Sequence, residues 1–336
     1  MIRDPLDVAL DYARRGEADA SEAILRPLAA AGDLAARFNM GWHHCRHDRL
    51  GAGIEALSVG RWLNVFGSPR VLTDKPIWHG EPLDRATLLL RGEGGFGDQI
   101  ANFRFAENFK RLGAKVIVAC EPGLWDVFRH APYVDACVHS SMPHTAMFDY
   151  WVPAMSAIVP LGLEYKDLSG APYLSRGAPT KLPGSFRVGL RWAGDPTFED
   201  EQRRQFPSDL MVGLSDIPGP TFYSLQRDHG VRPLPPSITD LQLFLTSWGA
   251  TAQMIASMDL VITSCTSIAH LSAAMGVPTW IVVPVLSYYL WAMPGDTSPW
   301  YDSVKLFRQE EFGSWEAPFA RLRSDLTALY GSTPHA

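Results

Sequence analysis

Residues 87–112 have the sequence TLLLRGEGGFGDQIANFRFAENFKRL, which indicates the fold class through the order of its elements. Its apolar run at 87–90 predicts a short buried strand, and the residues from about Gln99 to Leu112 predict a helix. A glycine-rich loop, Gly92–Gly97, joins the two. A strand, a tight loop and a helix in this order are typical of a parallel sheet covered by helices, so we predict an α/β fold. Further strands are predicted at Lys115–Ala119 and Ala136–His139.

A second series of the same kind begins at Phe186, and the terminal stretch Trp315–Tyr330 has apolar residues at helical spacing. The chain is therefore predicted to form two α/β lobes. Because ligands bind at the carboxyl ends of parallel strands, the site is expected between the lobes. The strands of this second series are predicted at Arg187–Trp192, Thr221–Leu225, Leu260–Thr263 and Trp280–Val283.

The first 66 residues are rich in alanine and lack strand-like runs. An offset of 32 residues aligns Leu10 with Trp42 and Leu25 with Leu57, so two helix pairs resembling tetratricopeptide repeats are expected. A helical cap with no binding role is the alternative. Two helix pairs bury little apolar surface by themselves, so they should pack on the next domain. The predicted domains are a helical region at 1–66, a connector at 67–84, an N-terminal lobe at 85–180, a C-terminal lobe at 181–313 and a C-terminal helix at 314–336.

The composition is that of a globular protein with a mildly acidic surface. Of the 336 residues 46% are hydrophobic, and the formal net charge is -6. A nucleic-acid groove needs a basic stripe to offset phosphate charge, so nucleic acid is excluded as a partner. The four cysteines lie far apart and form no CxxC pair. This spacing predicts reduced thiols in a cytoplasmic protein rather than a disulfide framework or a zinc ribbon.

Two stretches bear on membranes and export. The N-terminus has no apolar signal core, so we expect no secretion signal. The stretch 271–295 carries no charged residue and is long enough to span a bilayer. Gly276, Pro278, Pro284 and Pro294 would break such a helix, so we predict a helix end, a buried strand and a loop there, and no membrane span.

The loop Gly92–Gly97 satisfies GxGxxG, and Glu121 ends the following strand, as in dinucleotide-binding sites. Asp98 argues against this interpretation, because its carboxylate would face an incoming pyrophosphate and repel it. At the carboxyl edge of a sheet the same carboxylate is placed to take a proton from a hydroxyl nucleophile. The ordinary alternative is that Asp98 caps the helix that follows.

In the second lobe a buried strand is followed by Ser264–His270, which is rich in small hydroxyl residues. Backbone N–H groups at such a strand-to-helix turn form a seat for a phosphate or diphosphate. His270 would add a donor, and Arg203 and Arg204 on the polar loop 195–205 would neutralise a leaving diphosphate. Capping hydroxyls, a half-buried histidine and a solvated loop are the ordinary alternatives.

Five segments in order resemble one family: bacterial glycosyltransferases with tetratricopeptide repeats, related to the heptosyltransferases of glycosyltransferase family 9. The resemblance covers about residues 85–315. It implies a GT-B fold of two Rossmann-like lobes, with the nucleotide-sugar donor in the C-terminal lobe and the acceptor toward the N-terminal lobe. The five segments are GEGGFGD (92–98), VGLRWAG (188–194), FYSLQ (222–226), TSIAHL (266–271) and SPWY (298–301).

The resemblance also implies roles for single residues and an inverting transfer that needs neither metal nor cofactor. Asp98 corresponds to the proposed base, and the glycine loop to Gly94, Gly95 and Gly97. The implied donor-phosphate residues are Thr266, Ser267 and His270, with Arg204, Gln226 and Cys265 beside them. We assign acceptor or sugar contacts to Gln99, Trp151 and Trp300. Many relatives have Asp where this chain has Cys265, and His where it has Trp151.

Three functions therefore stay open at this point. The first is a glycosyltransferase acting on a protein or glycan acceptor, with the N-terminal helices binding a protein partner. The second, favoured by Cys265, is a nucleotide-binding interaction module with a degenerate GT-B core. The third is an NAD-dependent enzyme or a nucleotide-sugar epimerase.

A histidine cluster near the end of the helical region adds one more candidate site. His43 and His47 lie four residues apart, on one helix face, and could chelate a metal. His44 and Cys45 lie beside them, but no third ligand is evident. We therefore predict an exposed polar helix face and no metal.

Overall fold

The computed structural model describes residues 3–68, 73–142, 146–195, 204–227 and 234–332. The chain divides into two compact units. The first comprises Met1–Ser169 together with Tyr288–Pro294, and the second comprises Gly170–Ser287 and Gly295–Ala336. The short segment 288–294 therefore belongs to the first unit although the chain on either side of it belongs to the second.

The first unit begins with the helices predicted from the alanine-rich sequence. Side chains at two helix starts accept backbone hydrogen bonds, Asp4 from Leu6 N at 2.8 Å and Asp33 from Ala36 N at 2.7 Å. Ala9, Leu25, Ala36 and Met40 form the apolar core of this helical region. The helices are α1 (Pro5–Arg14), α2 (Ala18–Ala30), α3 (Leu34–Arg46), α4 (Leu50–Leu57) and α5 (Gly60–Leu63).

The helical region packs on the lobe that follows it in the same unit, as expected. Gly51 N in α4 donates to Glu164 Oε2 at 3.1 Å, and the hydroxyls of Ser58 and Ser156 lie 2.6 Å apart. These polar contacts join chain segments more than ninety residues apart. The helices and the sheet are therefore one body.

The sheet of the first unit has the parallel order β3-β2-β1-β4. The predicted helix Gln99–Leu112 starts three residues earlier and is interrupted at Arg104, whose Nε donates to Ala101 O at 3.0 Å. β4 was not predicted, because its four residues end in proline. The strands are β1 (Thr87–Arg91), β2 (Lys115–Cys120), β3 (Ala136–His139) and β4 (Tyr150–Pro153), and the helices are α6 (Phe96–Phe103), α7 (Phe105–Arg111), α8 (Trp125–Phe128) and α9 (Ile158–Leu161).

The second unit is built on a six-stranded parallel sheet of order β10-β9-β8-β5-β6-β7. The strands predicted in this lobe are confirmed, whereas β7, only three residues long, and β10 were missed. The strands are β5 (Arg187–Arg191), β6 (Thr221–Ser224), β7 (Ile238–Asp240), β8 (Leu260–Ser264), β9 (Thr279–Val283) and β10 (Val304–Arg308). The helices are α10 (Ser208–Val212), α11 (Trp248–Ala256), α12 (Ser267–Ala274) and α13 (Glu316–Ser332).

An aspartate immediately before a strand anchors the amino end of a neighbouring strand in both sheets. The carboxylate accepts a backbone N–H from the start of that neighbour, which holds the two strands in register at their first residues. The three pairs are Asp135 with Val116 N at 2.7 Å, Asp149 with Thr87 N at 2.8 Å and Asp259 with Arg187 N at 2.7 Å.

The structure bears on two sequence predictions, the one on membrane-spanning helices and the one on the cysteines. Within the described ranges, no helix combines the length and the apolar character needed to cross a membrane. The stretch 271–295 contains the end of α12, then β9, then a turn, as predicted. All four cysteines are free.

The histidine cluster differs from the exposed polar face that we predicted. His43 is buried, and its Nδ1 lies 4.0 Å from Glu22 Oε2, while His47 Nε2 lies 3.4 Å from the same oxygen. Arg26 donates to the other Glu22 oxygen at 2.5 Å. Burial lowers the pKa of His43, although the Glu22 carboxylate opposes this effect. Among the residues described, no three His, Cys, Asp or Glu side chains are placed to hold a metal ion.

We expect the free energy of unfolding to fall as the pH drops below about 6.5. The lowered pKa of His43 means that the unfolded chain binds this proton more readily than the folded chain, so stability is complete above that pH and is lost below it. His44, whose pKa is also lowered by burial, adds to the trend. Urea unfolding midpoints across this pH range should show a smaller slope for His43→Gln. The exposed His130→Gln is the control, and an unchanged slope in His43→Gln would contradict the assignment.

Candidate functional site

Asp98 lies in the first turn of α6, just beyond the carboxyl end of β1. Its Oδ2 accepts a hydrogen bond from Gly95 N at 2.9 Å, and its Oδ1 accepts one from the Tyr288 hydroxyl at 2.6 Å. Asp98 thus helps to close the helix start, but from the N3 position inside α6, whereas Gly95 occupies the N-cap position. The Asp98 side chain is partly exposed, so it is accessible from solvent as well as oriented.

The glycines of the loop make room for this carboxylate. Gly94 has φ of 66°, and a Cβ built there would lie 2.5 Å from Asp98 Oδ2. Gly94 is therefore required by its backbone conformation and by the closeness of Asp98. The Gly95 N–H, which a pyrophosphate would use, is already bonded to the carboxylate. This geometry disfavours the dinucleotide interpretation of the loop.

Glu93, inside the same loop, is a buried ion-pair partner that sequence reasoning missed. It is 2% exposed, and the Arg61 guanidinium donates to its two oxygens at 2.8 and 2.6 Å. Ser68 N donates to Oε1 at 2.9 Å and Met155 N donates to Oε2 at 3.2 Å. An acidic residue within a glycine loop is a signal that a buried partner exists. The identity of the partner, Arg61 in α5, could not be read from the sequence because it lies 32 residues before Glu93.

Four aromatic side chains, Trp42, Phe66, Tyr288 and Tyr289, form an aromatic cluster beside Asp98. The Tyr288 ring lies 5.8 Å from Trp42 and 4.6 Å from Tyr289, between ring centroids. Phe66 meets Tyr289 at 5.8 Å. The segment 288–294 thus reaches Asp98 through packing against the helical region.

Two residues predicted to contact an acceptor in this unit are buried and bonded internally. Gln99 donates to Gly94 O at 3.2 Å and accepts from Glu121 N at 2.9 Å, so it ties the loop to the end of β2. The Trp151 indole lies in the core and donates to Lys75 O at 3.2 Å. Trp300 in the second unit is also fully buried. The site that we propose below does not use these three residues.

In the second unit, β8 leads through Cys265 and Thr266 into α12. Arg204 Nη1 donates to Cys265 O at 2.7 Å, which places a guanidinium at this turn. The Ser264 hydroxyl is buried without a hydrogen-bond partner among the described residues. The turn therefore combines the N–H groups of a helix N-terminus, one cation and one unsatisfied hydroxyl. Arg203, the other arginine expected here, lies outside the described residues.

His270 and Gln226, which were also predicted to bind the nucleotide-sugar donor, are both buried. His270 follows this turn in α12, and Gln226 lies just beyond the end of β6. His270 Nδ1 lies 3.1 Å from the Tyr301 hydroxyl. Gln226 accepts from Trp192 N at 3.3 Å and from Ala193 N at 3.1 Å, so it stabilises the chain beyond β5. The structure thus brings Arg204, Cys265 and the start of α12 together, and gives Gln226 a bracing contact at a neighbouring strand end.

The comparisons with known proteins bear on the fold. No family model matches the chain. Protein FlbA of Caulobacter vibrioides is 26% identical over 327 residues, which cover 83% of this chain and 52% of FlbA. The chain therefore spans about half the length of this curated relative. The crystal structure of the glycosyl transferase family 9 from Veillonella parvula matches with a TM-score of 0.52 and 10% identity, over 69% of this chain and 88% of that chain.

The chain shares its fold with a glycosyltransferase of family 9. The ADP-heptose lipopolysaccharide heptosyltransferase II of E. coli is also similar, with a TM-score of 0.48 and 11% identity over 73% of this chain and 98% of that chain. The two parallel sheets of the structure confirm the predicted α/β architecture.

Replacing Arg61 tests the buried ion pair. Arg61→Ala leaves the Glu93 carboxylate buried without its main counter-charge, so we expect a loss of about 3 kcal/mol in the free energy of unfolding. Arg37→Ala, which removes an exposed partner of Glu55, should cost no more than about 1 kcal/mol. Denaturant unfolding of the two variants compares them directly. Equal losses would mean that the Glu93 pair is energetically unimportant.

Gly94 and Gly162 form a matched pair, because φ is 66° at Gly94 and 65° at Gly162. A Cβ at Gly162 would meet nothing within 4 Å. We expect Gly162→Ala to cost about 1 kcal/mol from backbone strain alone. Gly94→Ala should cost about 1 kcal/mol more, since the new methyl group must displace the Asp98 carboxylate. Equal unfolding free energies would show that Asp98 moves aside without cost.

Proposed function

We propose that this protein is a glycosyltransferase that moves a sugar from a nucleotide-sugar donor to a hydroxyl of a protein or glycan acceptor. The observation that carries the proposal is the Asp98 carboxylate. Gly95 N and the Tyr288 hydroxyl hold it in a defined orientation at the carboxyl end of β1, and its side chain is partly exposed. The fold shared with a family 9 glycosyltransferase supports the same class of reaction.

Asp98 is the proposed general base. The acceptor hydroxyl gives its proton to the carboxylate as its oxygen forms a bond to the anomeric carbon. The bond from that carbon to the phosphate oxygen breaks, and its electron pair leaves with the nucleoside diphosphate. Attack from the face opposite the diphosphate inverts the configuration at the anomeric carbon.

The turn before α12 is the proposed diphosphate site. Thr266 and Ser267 begin the helix, whose N–H groups and dipole favour an anion. The Arg204 guanidinium at Cys265 O adds a positive charge, and the unsatisfied Ser264 hydroxyl adds a donor. His270, held through Nδ1 by Tyr301, is the proposed further donor through Nε2. These fixed groups would stabilise the leaving diphosphate, so we propose a reaction that requires no metal ion.

The helical region is the proposed contact for a protein partner, and we propose that its helix pairs are tetratricopeptide-like. Successive helices of 10, 13, 13 and 8 residues support this. A cavity of about 370 Å³ opens among α2, α3 and α4. Its charged lining residues are Glu22, Arg26, Arg37, Arg49 and Glu55, and His44 also lines it.

Asp98→Asn separates the proposed base from the helix cap, because the amide oxygen still accepts the Gly95 N–H. We expect the variant to bind nucleoside diphosphate like the wild type and to transfer sugar about 10²–10⁴-fold more slowly. Asp126→Asn, an exposed aspartate of the same unit, is the control. Turnover is measured by mass spectrometry against a panel of nucleotide-sugars.

The possible outcomes separate the functions. Full turnover by Asp98→Asn would overturn the assignment of the base. Wild-type protein that binds nucleoside diphosphates but consumes no donor would instead support the nucleotide-binding module. Tight binding of NAD with no response to nucleotide-sugars would restore the oxidoreductase alternative.

A further inference from the structure

We propose that Tyr288 is a positioning residue for Asp98, and that Trp42 of the N-terminal helical region supports it in this role. The inference rests on the proposed function, since positioning matters only where Asp98 acts as a base. The tyrosine lies 190 residues beyond Asp98 in the sequence and reaches it through the segment 288–294.

The two carboxylate oxygens of Asp98 are held by separate parts of the chain. Gly95 N holds Oδ2 at 2.9 Å from within the glycine loop, and the Tyr288 hydroxyl holds Oδ1 at 2.6 Å from another segment. A distance of 2.6 Å is typical of an O–H donor on an ionised acceptor. Donors on both oxygens restrict rotation of the carboxylate plane, so the remaining lone pairs point in defined directions.

A second contact ties the backbone of Asp98 to the same segment. Asn102 Nδ2 donates to Asp98 O at 2.9 Å, and the Tyr289 hydroxyl donates to Asn102 Oδ1 at 3.3 Å. Tyr288 thus contacts the carboxylate, while Tyr289 supports the helix turn that carries it. The two adjacent tyrosines have different tasks, which makes them a natural pair for comparison.

The Tyr288 ring is itself held in place by packing. It lies between Trp42 of α3, at 5.8 Å, and Tyr289, at 4.6 Å. Aromatic contacts of this kind orient a ring through its faces and edges. The direction of the Tyr288 hydroxyl therefore depends on the helical region. Loss of the Trp42 ring should weaken the hydrogen bond from Tyr288 to Asp98 Oδ1.

Three other titratable or charged groups near Asp98 in the described residues make contacts of their own. Burial raises the pKa of Tyr289, and the Asp98 carboxylate adds to the rise, so Tyr289 stays neutral. Its hydroxyl is directed at Asn102. Arg104 donates to Ala101 O and Ser169 O, and the Glu93 carboxylate is paired with Arg61. The Tyr288 hydroxyl, in contrast, donates directly to Asp98 Oδ1.

The test compares Tyr288→Phe with Tyr289→Phe. Tyr288→Phe removes one hydrogen bond to the ionised carboxylate, so the acidic limb of the pH–rate profile should move up by about one pH unit. We expect kcat to fall by about 10–100-fold at neutral pH while KM for the donor stays unchanged. Tyr289→Phe should lower the melting temperature without moving the acidic limb. A limb that moves equally in both variants would overturn the proposal.

Trp42→Leu is the second variant and leaves the Tyr288 hydroxyl in the chain. We expect a shift of the acidic limb in the same direction but smaller than that of Tyr288→Phe. Trp78→Leu, the same substitution at a buried tryptophan that packs on Phe109, is the matched control for lost packing. If the acidic limb of the pH–rate profile of Trp42→Leu lies at the same pH as in the wild type, the supporting role of the helical region is overturned.

A carboxyl-carbon NMR titration provides a readout that needs no turnover. The Asp98 signal is assigned by its absence in Asp98→Asn, and its inflection should lie at higher pH in Tyr288→Phe than in the wild type. If Asp98→Asn keeps full turnover, the proposed function fails whatever Tyr288 does. If Asp98→Asn is inactive but Tyr288→Phe has the wild-type inflection and kcat, the positioning role alone is overturned.

Discussion

A buried carboxylate must receive hydrogen bonds from donors that replace water, and Glu93 is such a carboxylate. Its donors come from three separate segments, Arg61 in the helical region, Ser68 in the connector and Met155 beyond β4. Since an unpaired buried charge costs several kcal/mol, the glycine loop and the docked helices form together. The helical region is therefore part of the scaffold that shapes the loop.

Two carboxylates five residues apart in this loop have opposite environments. Glu93 is buried with four donors on its oxygens and so serves the structure. Asp98 is partly exposed, with described donors from Gly95 and Tyr288. A group that is oriented but still accessible can exchange a proton with a ligand, whereas a group that is saturated and dry cannot. This contrast supports Asp98 rather than Glu93 as the chemical group.

Predictions from local pattern succeeded where burial and backbone preference decide the structure. Apolar runs located β1, β2, β5 and β8 within one or two residues, because strands buried on both faces read as continuous apolar segments. β7 failed because it has three residues, and β4 because it ends in Pro153. The helix after the glycine loop began early, at Phe96, since Gly95 rather than Asp98 occupies the N-cap position.

The parallel α/β architecture, the glycine loop and the position of Asp98 near a helix start could all be predicted from the sequence, because each depends on neighbours within one element. The groups that contact this loop became known from the folded chain. Arg61 lies 32 residues before Glu93 and Tyr288 lies 190 residues after Asp98. The same holds for Trp151, which we assigned to acceptor or sugar contacts and which lies buried in the core. Periodicity reports which residues are buried, whereas the choice of partner depends on how distant segments pack.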